Sequence, residues 1–202
     1  MDEIVRLAMA KWPNVPHCHG WLRLDARGAW RMRDERAQAL GLPGERIAHP
    51  ALLGFINRNY TRDQSGCWYF QNGPQRVYVD LEATPHIVRT DPAQGLVLHT
   101  GAPMPAPVAA WLTRSGSLLL QGRELVAQLD DRDLGEALAG LRLDGTALTD
   151  DGLERLLADD APAQPGLALA IQGKVLPLTS IDDARVAERF SFVQKPRPEQ
   201  DH

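Results

Sequence analysis

The tripeptide His17-Cys18-His19 carries the most reactive side chains at the closest spacing in the chain. Imidazole and thiolate are the usual ligands of transition metals, and an extended backbone points His17 and His19 to the same side. A structural zinc site takes four ligands, commonly Cys-x₂-Cys with a distant second pair. Here the remainder has to come from His49, His86, His99 or Cys67, and no motif brings them in. A loop leading into a strand, carrying polar histidines, is the favoured reading. A metal-dependent hydrolase or redox enzyme built on His17, Cys18 and His19 is the alternative.

Arginines form the second set. Arg23, Arg31 and Arg33 alternate with Leu22, Leu24, Trp30 and Met32, so they share one face of a hairpin whose other face is apolar. Arg58, Arg62 and Arg76 come from the adjoining helix and strands. Guanidinium forks grip phosphate or carboxylate through two parallel hydrogen bonds, so a converging subset makes an anion pocket. Asp25, Asp34 and Glu35 can equally neutralise them, and a solvated arginine face is the commoner outcome. Gln71-Asn72-Gly73-Pro74-Gln75 adds amide groups from Gln71, Asn72 and Gln75 that can read a sugar or a base edge, although turn formation alone explains Asn-Gly-Pro. Among these, Arg76 is the first choice for a ligand contact, because it enters a strand directly after that turn.

Enzyme signatures are incomplete. Gly166 and Gly173-Lys174 are separated by six intervening residues rather than four, with Val175 where a phosphate loop needs Ser or Thr. No Gly-x-Ser-x-Gly elbow occurs, and no Gly-x-Gly-x-x-Gly comes after a strand. Asp130-Asp131-Arg132-Asp133 imitates part of a calcium loop without its Gly or its distant Glu, so helix capping is the better account. Binding rather than catalysis is expected, and no cofactor is implied.

Periodicity defines the helices and strands on which these residues sit. Asp2 to Lys11 reads as a helix with acids at its positive end and Pro13 beyond its close. In Leu22 to Met32 the apolar residues alternate around an Asp-x-x-Gly turn, the pattern of a half-buried hairpin. His49-Pro50 opens a helix with Leu52, Leu53, Ile56 and Tyr60 on one stripe. Asp63…Gly66…Trp68 then repeats Asp25…Gly28…Trp30 at an offset of 38 residues, and Trp111 to Leu118 carries a weaker third copy. Trp30 and Trp68 are read as paired core anchors. Arg76 to Leu81 alternates as a strand, and Leu169 to Leu178 forms a comparable strand-turn-strand.

The order hairpin, helix, strand-turn-strand thus recurs in 21–88 and in 109–181, where Arg132–Ala139 and Asp150–Ala158 supply the helices. The expected class is α+β, with two tandem repeats and mainly antiparallel sheets. Pro92, Pro103, Pro105 and Pro107 favour an extended connector, which places a first repeat over 1–101 and a second over 107–193. A short helix near Asp183–Phe190 precedes a flexible tail over 194–202.

Two hundred and two residues with 44% hydrophobic and 24% charged side chains are ample for packed cores. A net charge of −4 argues against bulk coating of nucleic acid or of an anionic membrane. The charge is uneven, with residues 1–101 net +2 and 102–202 net −6. Two cysteines, an acidic start at Met1-Asp2-Glu3 and the lack of an apolar run of ~20 residues suggest a reduced cytoplasm and no membrane anchor.

The motifs Gly28-Ala29-Trp30, Asp63 to Tyr69 (Asp-x-x-Gly-x-Trp-Tyr) and Pro74 to Pro85 (Pro-x-x-Val-x-Val-x-x-Glu-x-x-Pro) resemble uncharacterised bacterial families of unknown function. The likeness is concentrated in the first half. It implies a duplicated α+β core, a second half superficially like a pleckstrin-homology roll, and a ligand site between the halves, with no catalytic residues attached. The combined expectation is a cytoplasmic binding or signalling module for a nucleotide or other small anion, with its site in the groove between the two repeats. A domain that binds another protein through its acidic second half or a sheet edge is a third reading.

Overall fold

The fold was taken from a computed structural model, which describes residues 1–158 and 165–198. The described residues divide into two compact units, one formed by residues 1–85 with 191–198, the other lying within residues 86–190. The divide falls after Pro85, not in the proline-rich 101–107. Residues 86–101 hold strands instead of an extended connector, and those strands pair inside the second unit. Of the expected tail, residues 194–198 belong to the first unit, while 199–202 lie outside the described residues.

The first unit contains helices α1 (Glu3–Lys11), α2 (Glu35–Ala39) and α3 (Pro50–Arg58) and strands β1 (Cys18–Leu24), β2 (Trp30–Met32), β3 (Glu45–Arg46), β4 (Tyr60–Arg62), β5 (Trp68–Asn72) and β6 (Gln75–Leu81). The strands make one sheet in the order β3-β2-β1-β6-β5-β4, antiparallel except where β1 lies parallel to β6. Register decides what each face carries. Leu24 pairs with both Trp30 and Leu81, Leu22 with Val79, and Phe70 with Val77, so one face is apolar. Helix α3 seals that face, Phe55 meeting Phe70 edge-on at 5.3 Å and Asn57 accepting the Trp30 indole N–H at 2.7 Å. Trp30 is fully buried and Trp68 only partly, with the Tyr60 ring against both.

The opposite face carries Arg23 beside Arg31 and Asp80, Tyr69 beside Tyr78, and Gln71 beside Arg76. Chain reversal into β6 uses Gly73 at φ +57° with Pro74 next to it, so the bend places a glycine where other residues would be strained. Residues 191–194 return along the sheet margin. Val193 donates to Gly66 O at 3.0 Å, Leu81 donates to Gln194 O at 2.7 Å, and Phe192 is buried.

In the second unit a nine-stranded sheet has the order β13-β12-β14-β15-β9-β10-β11-β7-β8. Its strands are β7 (His86–Asp91), β8 (Gly95–Leu98), β9 (Ala109–Thr113), β10 (Leu118–Gln121), β11 (Val126–Leu129), β12 (Leu141–Leu143), β13 (Thr146–Ala147), β14 (Leu167–Ile171) and β15 (Lys174–Ile181). Pairing is antiparallel except at β11/β7 and β15/β9. Helices α4 (Asp131–Leu138) and α5 (Asp150–Leu157) begin at Asp130 and Thr149, whose side chains accept the Arg132 and Gly152 N–H groups. Asp130 therefore caps a helix, and Asp133 holds the Thr90 amide and hydroxyl. A 3₁₀ turn (Asp183–Arg185) and α6 (Val186–Arg189) end the unit. Its core is dominated by leucine, with Leu118, Leu120 and Leu169 fully shielded.

The molecule is therefore α+β with mainly antiparallel sheets. The Asp-x-x-Gly turn recurs with the same geometry three times, the third copy having Thr113 in place of Asp: Gly28, Gly66 and Gly116 have φ of +78°, +81° and +84°, and each donates to the carbonyl three residues earlier. The chain continues differently after each turn. The second leads directly into β5 and β6, the third into β10, β11 and α4.

Candidate functional site

The polar face of the first sheet opens into a cleft of about 990 Å³, lined by His17, His19, Arg62, Asp63, Gln64, Ser65, Cys67, Tyr69, Arg76, Tyr78 and Pro196 to Pro198. Each wall has a local cause. The register of β5 against β6 sets Tyr69 beside Tyr78. The His19 imidazole lies parallel to the Tyr78 ring, 4.5 Å between centroids and 13° between planes, and His17 meets the same ring edge-on at 5.8 Å. Both histidines thus face one side, as an extended backbone requires.

Arg76 sits with its guanidinium 4.7 Å above the Tyr69 ring, a cation–π geometry. The Tyr78 phenol beside it holds that guanidinium more firmly charged than usual. Arg62 closes β4 and is exposed. Among the described residues, neither Arg62 nor Arg76 lies within ion-pair distance of a carboxylate. The one acid among the described residues lining the cleft, Asp63, is already engaged: Oδ1 accepts the Ser65 and Cys67 amides at 3.0 and 2.9 Å, and Oδ2 accepts the Tyr78 hydroxyl at 3.2 Å. Arginine, histidine and aromatic edges therefore outweigh negative charge here.

Burial is the first influence on the titrating groups. It pushes the Tyr78 phenol up and lowers His19, with His17 and Arg197 lowering His19 further. His19 is thereby held neutral at pH 7. Burial and the neighbouring Asp63 raise the Cys67 thiol, which leaves it protonated and a poor nucleophile.

Four of the six arginines picked out in the sequence lie elsewhere, each taken up by a carboxylate. Arg23 pairs with Glu82 at 2.9 Å, Arg31 with Asp25 at 2.7 Å, Arg33 with Asp80 at 2.7 Å, and Arg58 with Asp2 at 3.2 Å. Asp25 does act as the neutraliser weighed for it, whereas Asp34 caps α2 instead. Gln71 is fully buried, its Nε2 donating to Gly73 O, and Gln75 donates to Pro16 O. Asn72 is exposed at the strand end and does not line the cleft. Cys18 pairs in register with Val77 and is likewise outside the lining. Among the described residues no group of three or more His, Cys, Asp or Glu side chains is placed to hold a metal ion. No helix among them is long and apolar enough to cross a membrane.

Sequence reasoning missed Asp63, Tyr69, Tyr78 and Arg197 as cleft residues. The first three carried a signal: Asp63 opens a turn, and Tyr69 and Tyr78 alternate in phase with Arg76.

A family model, DUF2944, with the description "Protein of unknown function (DUF2946)", matches residues 1–197. No curated protein matches the chain. Among solved structures, a DUF1285 family protein from Silicibacter pomeroyi DSS-3 is 14% identical with a TM-score of 0.46, over 90% of this chain and 97% of that one. A DUF1285 family protein from Shewanella baltica OS155 is 17% identical with a TM-score of 0.38, over 57% and 88% respectively.

Proposed function

The chain belongs to this DUF2944 family of unknown function, and we propose that it is a binding or signalling module whose first-unit cleft takes a small anionic ligand, a nucleotide or another phosphate-bearing molecule. One observation carries the reading. Arg62 and Arg76 face about 990 Å³ of cleft beside two histidines and two tyrosines, while Asp63, the only acid among the described residues that line it, has both oxygens hydrogen-bonded. On the same face Arg23, Arg31 and Arg33 are each matched to an acid, which Arg62 and Arg76 are not. The volume suits a mononucleotide, and the aromatic edges suit a planar group next to the phosphate. A protonated Cys67 favours binding over nucleophilic chemistry. A reduced cytoplasm is the setting proposed for the module, in keeping with two free cysteines.

Thermal-shift screening of nucleotides and phosphorylated metabolites tests the reading, because a ligand that binds only the folded state must raise its stability. Stabilisation by a phosphate-bearing compound is expected. Absence of stabilisation by every anion at large excess contradicts it.

A further inference from the structure

Arg197 enters the cleft from the far end of the chain. It belongs to residues 191–198, which reach the first unit only after the second unit has been traversed in sequence. The segment is fixed by Val193 to Gly66 O, by Leu81 to Gln194 O and by burial of Phe192. Pro196 and Pro198 flank Arg197, and all three line the cleft.

Its guanidinium is held loosely. Arg197 Nη1 stands 3.6 Å from Asp80 Oδ1, beyond hydrogen-bond length, and the side chain remains 61% exposed. Nη1 also reaches Pro196 O at 3.3 Å. Asp80 is 4% exposed, and its Oδ2 is taken by Arg33 at 2.7 Å, while Oδ1 accepts no hydrogen bond. A buried carboxylate with one oxygen satisfied and one bare draws a cation towards it without claiming the cation's donors. Arginine has five N–H donors in a fixed fork, so these contacts leave most of Arg197's donors uncommitted in a residue that lines the cleft.

We propose that Arg197 is a ligand-contacting residue of the anion cleft, that Asp80 is the residue positioning it, and that the cleft is complete only when the C-terminal segment is docked. This rests on the cleft being an anion site. Arg62 and Arg76 come from the sheet, and Arg197 supplies a third guanidinium from outside it, so that a phosphate is held between the sheet and the segment. Affinity for phosphate then reports whether residues 191–198 are seated, which makes the segment a control point for ligand occupancy.

The test is calorimetric titration of inorganic phosphate and a purine nucleoside monophosphate into the full-length chain, Arg197→Ala, Arg197→Lys, Arg76→Ala and a chain ending at Lys195. The truncation keeps Phe192, Val193 and Gln194. Arg197→Ala and the truncation are expected to weaken binding by roughly tenfold, within the range for hydrogen bonds to charged groups. Arg197→Lys, which keeps the charge but loses the fork, should fall between, and melting temperatures should stay near the parent. Unchanged affinity in Arg197→Ala and in the truncation, with Arg76→Ala weakened, overturns the role of Arg197 and leaves the anion cleft standing. Failure of the parent chain to bind either probe overturns both.

Discussion

Asp63 Oδ2 accepts the hydroxyl of Tyr78 at 3.2 Å, while Oδ1 of the same carboxylate closes the turn between β4 and β5 through the Ser65 and Cys67 amides. One side chain therefore shapes a hairpin and fixes a cleft wall. The arrangement ties the Tyr78 ring, and with it the stacked His19, to the most local feature in the sequence, an Asp-x-x-Gly turn. It also means that the carboxylate of Asp63 is spent on structure.

Asp63→Ala should lower stability by about 1–3 kcal/mol, since two amides lose their acceptor. Asp63→Asn keeps a carbonyl oxygen for the turn and should lose less, while removal of the charge should tighten phosphate binding severalfold. Urea unfolding and phosphate titration of the two variants check this. Equal stability loss in both variants, with unchanged affinity, would show that the carboxylate serves neither purpose.

Asp80→Ala leaves Arg33 buried without its partner and should cost about 3–5 kcal/mol, the range for breaking a buried pair. Replacing both at once, Arg33→Met with Asp80→Leu, should recover most of that loss. Thermal melts of the single and double variants decide whether the buried pair behaves as a unit.

Gly66 has φ +81°, and a Cβ there would stand 2.5 Å from Ser191 O, a backbone atom with little room to yield. Gly66→Ala should therefore both strain the turn, by about 1–2 kcal/mol, and unseat residues 191–198. Amide exchange at Val193 and Leu81, which bond across this contact, should accelerate in the variant. Parent-like protection at both amides would contradict the contact.

Acid should weaken the second unit. His86 and His99 have rings 5.7 Å apart, and although each ring keeps some exposure, His86 Nδ1 and His99 Nε2 are shut off from solvent. Burial lowers His86 to about 4 and His99 to about 3, from an ordinary value of 6.5. Between about 6.5 and 4 the unfolded chain binds protons that the folded one refuses, so stability rises with pH in that window and is lost as pH falls through it. Above pH 7 the two rings contribute no slope. Unfolding midpoints between pH 8 and pH 4 should show an uptake of one to two protons on unfolding in acid, smaller in His99→Gln. A flat profile down to pH 4 would contradict the burial of these nitrogens.

Local features were legible in the sequence. The turns at Asp25, Asp63 and Thr113, the proline-led start of α3 at Pro50, the cap at Thr149 and the strand over Arg76 to Leu81 all come from residue type at fixed spacing. Long-range partners were not. Arg23 and Arg33 look available in sequence because Glu82 and Asp80 lie on β6 or just beyond it, and only the parallel pairing of β1 with β6 brings those acids alongside. The prolines from Pro92 to Pro107 suggested a linker, yet Gly95–Leu98 between them is a strand because its partner, β7, supplies the ladder. Arg197 falls in a polar stretch that reads as tail. Its place in the cleft depends on Gly66 and Leu81, more than a hundred residues earlier.

Whether the cleft is an anion site is decided by calorimetric titration of a purine nucleoside monophosphate and inorganic phosphate into the parent chain and Arg76→Ala. Arg76 lines the cleft, and among the described residues its side chain is held by Tyr69 and Tyr78 with no ion pair to lose from the fold. Saturable binding to the parent is expected, with a loss of about 1.5–3 kcal/mol in Arg76→Ala and little change in melting temperature. A parent that binds neither compound, or an Arg76→Ala chain that melts many degrees lower while its affinity is unchanged, would contradict the assignment.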